Sequence, residues 1–155
     1  DVFAVSGMIV LSLKYFKTDL YQLRTQSNME TAKLCLLIDD DHDDQLVFAL
    51  AVKELHKNVR CIIVDNALLG LMKLENEPDF VPDCIFIDLN LPGISGYDCL
   101  MRIKQIRRLA HIPVIIYTTS YRDEDVIKTY DLGGAAFITK PYRLNDLASK
   151  LDPFF

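Results

Sequence analysis

The chain has 155 residues, half of them hydrophobic and a quarter charged, enough for one domain with a buried core. Its net charge of -5 argues against general nucleic-acid binding, which needs a basic face. Six Gly and six Pro leave little room for a long flexible linker.

Residues 1–28 stand apart from the rest of the chain. The chain starts at Asp1 rather than Met, and Met29 stands just ahead of the first clear strand. The expected division is an N-terminal extension over 1–28, vector-derived or translated from an upstream start, and one domain over 29–155. The uncharged stretch 2–13 is shorter than the ~20 residues a membrane helix needs, and an acidic first residue does not suit a signal peptide. Ile9, Leu11 and Leu13 alternate as in a strand, whereas Leu13, Phe16, Leu20 and Leu23 fit a helical face. Both readings stay open.

From Lys33 onward the pattern is regular. Residues 34–38, LCLLI, form a continuous apolar run of strand length, as expected for a strand covered on both faces. It runs into DDDHDD at 39–44, and the next helix places Val47, Phe48, Ala51, Val52 and Leu55 on one apolar stripe. The acids at its start suit the positive end of the helix dipole. A second strand over 60–64 leads to a helix through Leu68, Leu71, Met72 and Glu75, ending before Pro78. The third strand, 83–87, delivers Asp88 at its end. A Leu-Pro-Gly turn comes next, and Gly96 opens a helix with Leu100, Ile103 and Ile106 inward and Arg102, Lys104, Arg107 and Arg108 outward.

Pro113 begins a fourth strand, 114–117, which ends in Thr118-Thr119-Ser120. A short fourth helix is expected to carry Val126, Ile127 and Tyr130 on one side and to close at Gly133-Gly134. The fifth strand, 136–139, ends in Lys140-Pro141. A last helix over 144–151 buries Leu144, Leu147 and Leu151 before Pro153. Five strands alternating with five helices imply an α/β fold built on a parallel sheet. Cys35, Cys61, Cys84 and Cys99 lack C-x-x-C spacing and read as small buried hydrophobes in a reducing, cytoplasmic setting.

In a parallel sheet all strand C-termini share one edge, where open α/β sheets bind ligands. Asp39, Asp40, Asp88, Thr118 and Lys140 would meet there. Carboxylates brought that close raise one another's pKa, and a divalent cation relieves the repulsion; an all-oxygen site with water suits Mg²⁺. Lys140 and Thr118 offer a point charge and a hydroxyl donor for phosphoryl oxygens.

An acidic pair after strand one, D-x-x-x-P-G-x-x-G around Asp88, Thr after strand four and Lys-Pro after strand five together resemble the receiver domain of two-component response regulators. The resemblance covers 34–151. It implies a flavodoxin-like, doubly wound five-stranded sheet of order 2-1-3-4-5. It also implies that Asp88 accepts a phosphoryl group from a histidine kinase or phosphotransfer protein. Asp40, Asp88 and the backbone carbonyl of Asn90 would hold Mg²⁺ (or Mn²⁺) directly, and Asp39 through water. Thr118 would bind the new acyl phosphate, and Phe137 would be the aromatic switch residue. The protein would be a signalling phosphoacceptor of bacterial type, catalysing only its own phosphoryl transfer and slow dephosphorylation.

Since only four residues come after Leu151, output is expected through a downstream protein partner on the surface of the fourth helix, fifth strand and fifth helix. No direct nucleic-acid or membrane contact is expected, and a homodimer or a phosphorelay role is compatible.

Taken singly, each residue has a plainer reading. Asp41, Asp43 and Asp44 read as solvated helix-start charges, His42 as a surface residue, Lys140 as a surface lysine and Phe137 as core. Asn90 and Ser120 flank the site and are candidates for tuning dephosphorylation. An aspartyl-phosphate phosphatase on this fold would want a second acid where Asn90 stands. A flavodoxin-like cofactor binder would want a phosphate-cradling loop where five Asp occupy 39–44.

Overall fold

The computed structural model describes residues 32–155; the expected extension over 1–28 lies outside the described residues. Five strands, β1 (Lys33–Ile38), β2 (Val59–Val64), β3 (Cys84–Ile87), β4 (Val114–Thr118) and β5 (Ala136–Thr139), form one parallel sheet in the order β2-β1-β3-β4-β5. Between and after them lie α1 (His42–Glu54), α2 (Ala67–Asn76), α3 (Gly96–Gln105), α4 (Asp123–Asp131) and α5 (Leu144–Leu151). The expected order and element count therefore hold for the described residues.

The continuous apolar strands result from double coverage. Successive side chains point to opposite faces, so a strand with helices on both sides must be apolar at every position. On one face Leu36, Ile38, Ile85, Ile87, Val114 and Ile116 meet Leu71 and Leu74 of α2 and Leu100 and Ile103 of α3. On the other, Cys35, Leu37, Phe86, Ile115 and Tyr117 meet Phe48 and Val52 of α1 and Leu147 and Leu151 of α5. Phe48 centres an aromatic cluster, with its ring centroid 5.0 Å from Phe86 and 5.4 Å from Tyr117, both edge-on. β2, at the sheet edge, is only half covered. Among the described residues all four cysteines are free thiols; Cys35, Cys84 and Cys99 are buried and Cys61 partly so.

Three helices start on side-chain caps. Asp41 accepts from the backbone N–H groups of Asp43 (2.9 Å) and Asp44 (3.1 Å), Asn66 from Leu69, and Ser95 from Asp98. α4 and α5 begin without such caps.

Several side chains face other than the sequence suggests. Val47 on α1 is exposed. The α3 helix stops at Gln105, and Arg107–Leu109 form a 3₁₀ turn. From that turn Arg108 does not point outward: its guanidinium donates to the carbonyls of Leu74, Glu77 and Phe80 and satisfies the end of α2.

On α4 the apolar side is largely turned away from the sheet, with Val126 half-buried. Ile127 and Tyr130 lie on its outer side, 61% and 53% exposed, while Asp125 and Thr129 are buried beneath it. Two hydrogen bonds within the helix and its closing turn satisfy polar groups on this inner side. Thr129 Oγ1 donates to the carbonyl of Asp125 at 2.8 Å, and the Gly134 N–H donates to the carbonyl of Thr129 at 2.9 Å.

Candidate functional site

Each residue at the C-terminal edge of the sheet is fixed by a backbone bond that extends the ladder by one rung. After β1, Asp39 N–H donates to the Val64 carbonyl at 3.1 Å. After β3, Asp88 N–H donates to the Ile38 carbonyl at 3.0 Å, and after β5, Lys140 N–H donates to the Thr118 carbonyl at 2.8 Å. The sheet thereby carries its register into the site.

These rungs bring two acids onto one cation, and a third, Asp44, reaches it from α1. Lys140 Nζ lies 2.8 Å from Asp39 Oδ2, 2.8 Å from Asp88 Oδ2 and 2.7 Å from Asp44 Oδ2. Its ammonium also sits 5.1 Å from the centroid of the Tyr117 ring. Burial opposes the charge on Lys140, but the three carboxylates outweigh it and raise its pKa well above the usual lysine value. Asp39 moves up as well. Desolvation is the largest influence on it and exceeds the opposing hydrogen bonds from Lys140 and the Asp41 N–H. The two directions are compatible, because one ammonium is divided among three acids whereas each acid receives only a share of it.

Asp88 itself is buried, and its Oδ1 accepts from the Asn90 N–H at 3.1 Å. Thr118 is fully buried at the end of β4, and its Oγ1 lies 3.4 Å from the Ser120 N–H, which donates to it. Asp40 and Asn90 are exposed at the same edge. Phe137 is half-buried on β5, paired in register with Ile116 of β4. Of the residues singled out in the sequence, side-chain bonds thus unite Asp39, Asp88 and Lys140; Thr118, Asn90 and Asp40 lie at the same edge without bonding to that trio through their side chains, and Phe137 packs against the hydrophobic core. His42 is exposed, with its nearest acid Asp65 at 3.8 Å.

Among the described residues no three His, Cys, Asp or Glu side chains are gathered closely enough to hold an ion. Lys140 supplies the countercharge between Asp39 and Asp88. The chemistry of the donors still fits a hard divalent cation, since carboxylate and carbonyl oxygens are what Mg²⁺ and Mn²⁺ accept.

Two features escaped the sequence. Asp44 read as a solvated charge, yet it reaches Lys140. The signal for it was its place as third residue of α1 after the Asp41 cap, since helical side chains lean back toward the N-terminus and so over the end of β1. The second is a cluster on Asp125. Its carboxylate accepts from Tyr97 Oη at 2.7 Å, from Arg122 Nε at 3.0 Å and Nη2 at 2.9 Å, and from Ser120 Oγ. The bond from Arg122, with those from Ser120 and Tyr97 next in weight, holds the Asp125 pKa down at about 2. The cluster borders an open cleft of about 430 Å³ between Asn90, Ser95 and the loop 119–122.

A family model described as the response regulator receiver domain matches residues 35–152. The two-component response regulator ORR13 of Oryza sativa subsp. japonica is 35% identical over 112 residues, covering 72% of this chain and 89% of the relative. Response regulator Rcp1 of Synechocystis is 33% identical over 119 residues, covering 74% and 81%. The crystal structure of Rcp1 in its Mn²⁺-bound form superposes with a TM-score of 0.69, covering 78% of this chain and 90% of that one at 32% identity. That of the phosphorylated cyanobacterial phytochrome response regulator RcpA gives 0.71, covering 79% and 91% at 28% identity. The relatives span a plant and a cyanobacterium, so the likeness is not confined to bacteria.

Proposed function

Because the chain belongs to the response regulator receiver domain family, and so to two-component signalling rather than to metabolic enzymes, we propose that Asp88 is its phosphoacceptor. The observation that carries this reading is the 2.8 Å bond from Lys140 Nζ to Asp88 Oδ2 at the buried sheet edge. It fixes the Asp88 carboxylate beside a cation able to donate to a phosphoryl oxygen.

An Asp88 oxygen attacks phosphorus in line. The bond from phosphorus to the donor, a histidine nitrogen of a kinase or phosphotransfer protein, breaks with its electron pair leaving on that nitrogen. The product is an acyl phosphate on Asp88, and Lys140 balances the charge spread over the phosphoryl oxygens. Asp40, Asp88, the Asn90 carbonyl and, through water, Asp39 would hold Mg²⁺ or Mn²⁺, which supplies further neutralisation of those oxygens. Support comes from the hard oxygen donors present and from the Mn²⁺-bound form of Rcp1.

The Thr118 hydroxyl then donates to a phosphoryl oxygen. Moving it draws in the loop 119–122, and half-buried Phe137 on the neighbouring strand moves with it. Slow hydrolysis, with Asn90 and Ser120 at the entrance, resets the state. Readout is by a downstream protein at the exposed Ile127 and Tyr130 of α4 and Tyr142 beyond β5. The setting is cytoplasmic, in keeping with the free thiols and with the lack, among the described residues, of a helix long and apolar enough to cross a membrane.

Incubation with acetyl phosphate and Mg²⁺ should label the native protein with a hydroxylamine-labile phosphate and leave Asp88→Asn unlabelled. No label in the native chain, or equal label in both, refutes the reading.

A further inference from the structure

We infer that Asp44 is a positioning residue that holds the Lys140 ammonium back in the unphosphorylated protein and gives it up to the phosphoryl group. This rests on the reading of Asp88 as phosphoacceptor. A lysine ammonium has three N–H donors, and Lys140 spends one on each of Asp39, Asp44 and Asp88. It can therefore bind a phosphoryl oxygen only by exchanging one of these bonds.

The three bonds differ in how easily they are exchanged. The Asp39 side chain is 0% exposed, so releasing it would strand a buried carboxylate; that of Asp88, 8% exposed, stays a buried carboxylate until its oxygen has attacked, so it too is held while the donor approaches. Asp44 is 33% exposed, and water can take over from Lys140 there. It also sits in the first turn of α1, where the helix dipole favours a negative charge even without the lysine. Asp44 is thus the partner that lets go. Until it does, it competes with the phosphoryl oxygen for Lys140 and sets a negative charge in the path of an anionic donor. The same charge adds to the attraction for a divalent cation at the neighbouring acids.

Two measurements on the full chain test this. In metal-free protein with ¹⁵N-labelled lysine, solvent exchange of the Lys140 Nζ protons should be slow in the native form, faster in Asp44→Asn and fastest in Asp44→Ala. Exchange unchanged in Asp44→Ala overturns the inference. In the second, phosphorylation by acetyl phosphate is monitored as Mg²⁺ is raised. Asp44→Asn should increase the maximum rate roughly 2- to 5-fold, the range expected for removing a partly exposed competing ion pair. It should also raise the Mg²⁺ concentration giving half that rate, while Asp44→Glu returns both values toward native. A merely structural role would lower the rate without this split. A maximum rate in Asp44→Asn equal to or below native overturns the role of Asp44 alone; an unlabelled native protein overturns the phosphoacceptor reading and this inference with it.

Discussion

Two glycines of the loop after Asp88 serve different physical ends, and substituting each by alanine should separate them. Gly96 opens α3, and its N–H donates to the Leu89 carbonyl at 3.1 Å. A Cβ there would stand 2.7 Å from Leu89 Cα and 2.9 Å from the Asp88 carbonyl carbon. Both are backbone atoms, so no side-chain rotation relieves the contact and the Asp88-Leu89 peptide must shift. Overpacking of this sort costs ~1–3 kcal/mol, and the upper end is expected because the obstacle is main chain. A displacement approaching ~1 Å at a reacting group can cost ~100-fold in rate. Gly93 instead has φ +77° and open space around it. Alanine there meets no clash and is penalised only for the left-handed conformation, ~1–2 kcal/mol. Urea unfolding should therefore place Gly96→Ala at or below Gly93→Ala in stability. Acetyl phosphate labelling should fall sharply in Gly96→Ala and persist in Gly93→Ala under conditions where both remain folded. Native-like labelling of folded Gly96→Ala would refute the argument that close approach to the Asp88 backbone positions the acceptor.

Three further perturbations test the same geometry. Lys140→Met removes the one cation among two buried acids and should cost ~3–5 kcal/mol in EDTA. Added Mg²⁺ should raise its melting temperature more than that of the native protein, and an unchanged melting temperature in EDTA would count against the lysine as the main countercharge. Asp125 has a pKa of about 2, below its ordinary carboxylate value, so its contribution is full above about pH 4 and is lost as pH falls toward 2. Allowing for solvent screening of exposed Arg122, Asp125→Asn should remove ~1–2 kcal/mol at neutral pH, with the native and variant stability curves converging at the acid end. Phe48→Ala empties the centre of the aromatic cluster and should cost ~3–5 kcal/mol by urea unfolding, with labelling of the folded fraction retained.

The sheet was legible because a doubly covered parallel strand cannot hide its character: β1, β3 and β4 are apolar almost throughout, and the strand order comes from the family resemblance. Asp39, Asp88 and Lys140 were legible because strand ends mark one edge. Asp44 was not, since its value depends on a side-chain lean of a few ångströms across the end of β1, and five Asp in six positions look interchangeable in sequence. Arg108 was misjudged for a related reason. A periodic outward placement assumes that α3 continues, whereas the helix ends at Gln105 and the 3₁₀ turn re-aims the side chain at the end of α2. In both cases a local change of direction, rather than residue type, decided the contact.

The packing of α4 has a larger consequence. Periodicity puts Val126, Ile127 and Tyr130 on one side of the helix, and in the structure Val126 is half-buried while Ile127 and Tyr130 face outward. Asp125 and Thr129 are buried beneath it: Asp125 is tied to Tyr97 of α3 and to Ser120 and Arg122 just before the helix, whereas Thr129 bonds within the helix and to its closing turn at Gly134. Hydrogen bonds of this kind, to a charged carboxylate, can be exchanged for others, including bonds to water, at a net cost of about 1.5–3 kcal/mol each. A packed apolar face has no comparable substitute when it is pulled apart. Ser120, a member of this cluster, lies two residues beyond Thr118 on the same loop. In the proposed switch, a pull on Thr118 would reach, through Ser120, the Asp125 cluster at the start of the helix whose outer side carries Ile127 and Tyr130. Such a fastening would suit an element proposed to respond to one phosphoryl group, because the stabilisation a few new bonds can supply is of the same order as what they would displace.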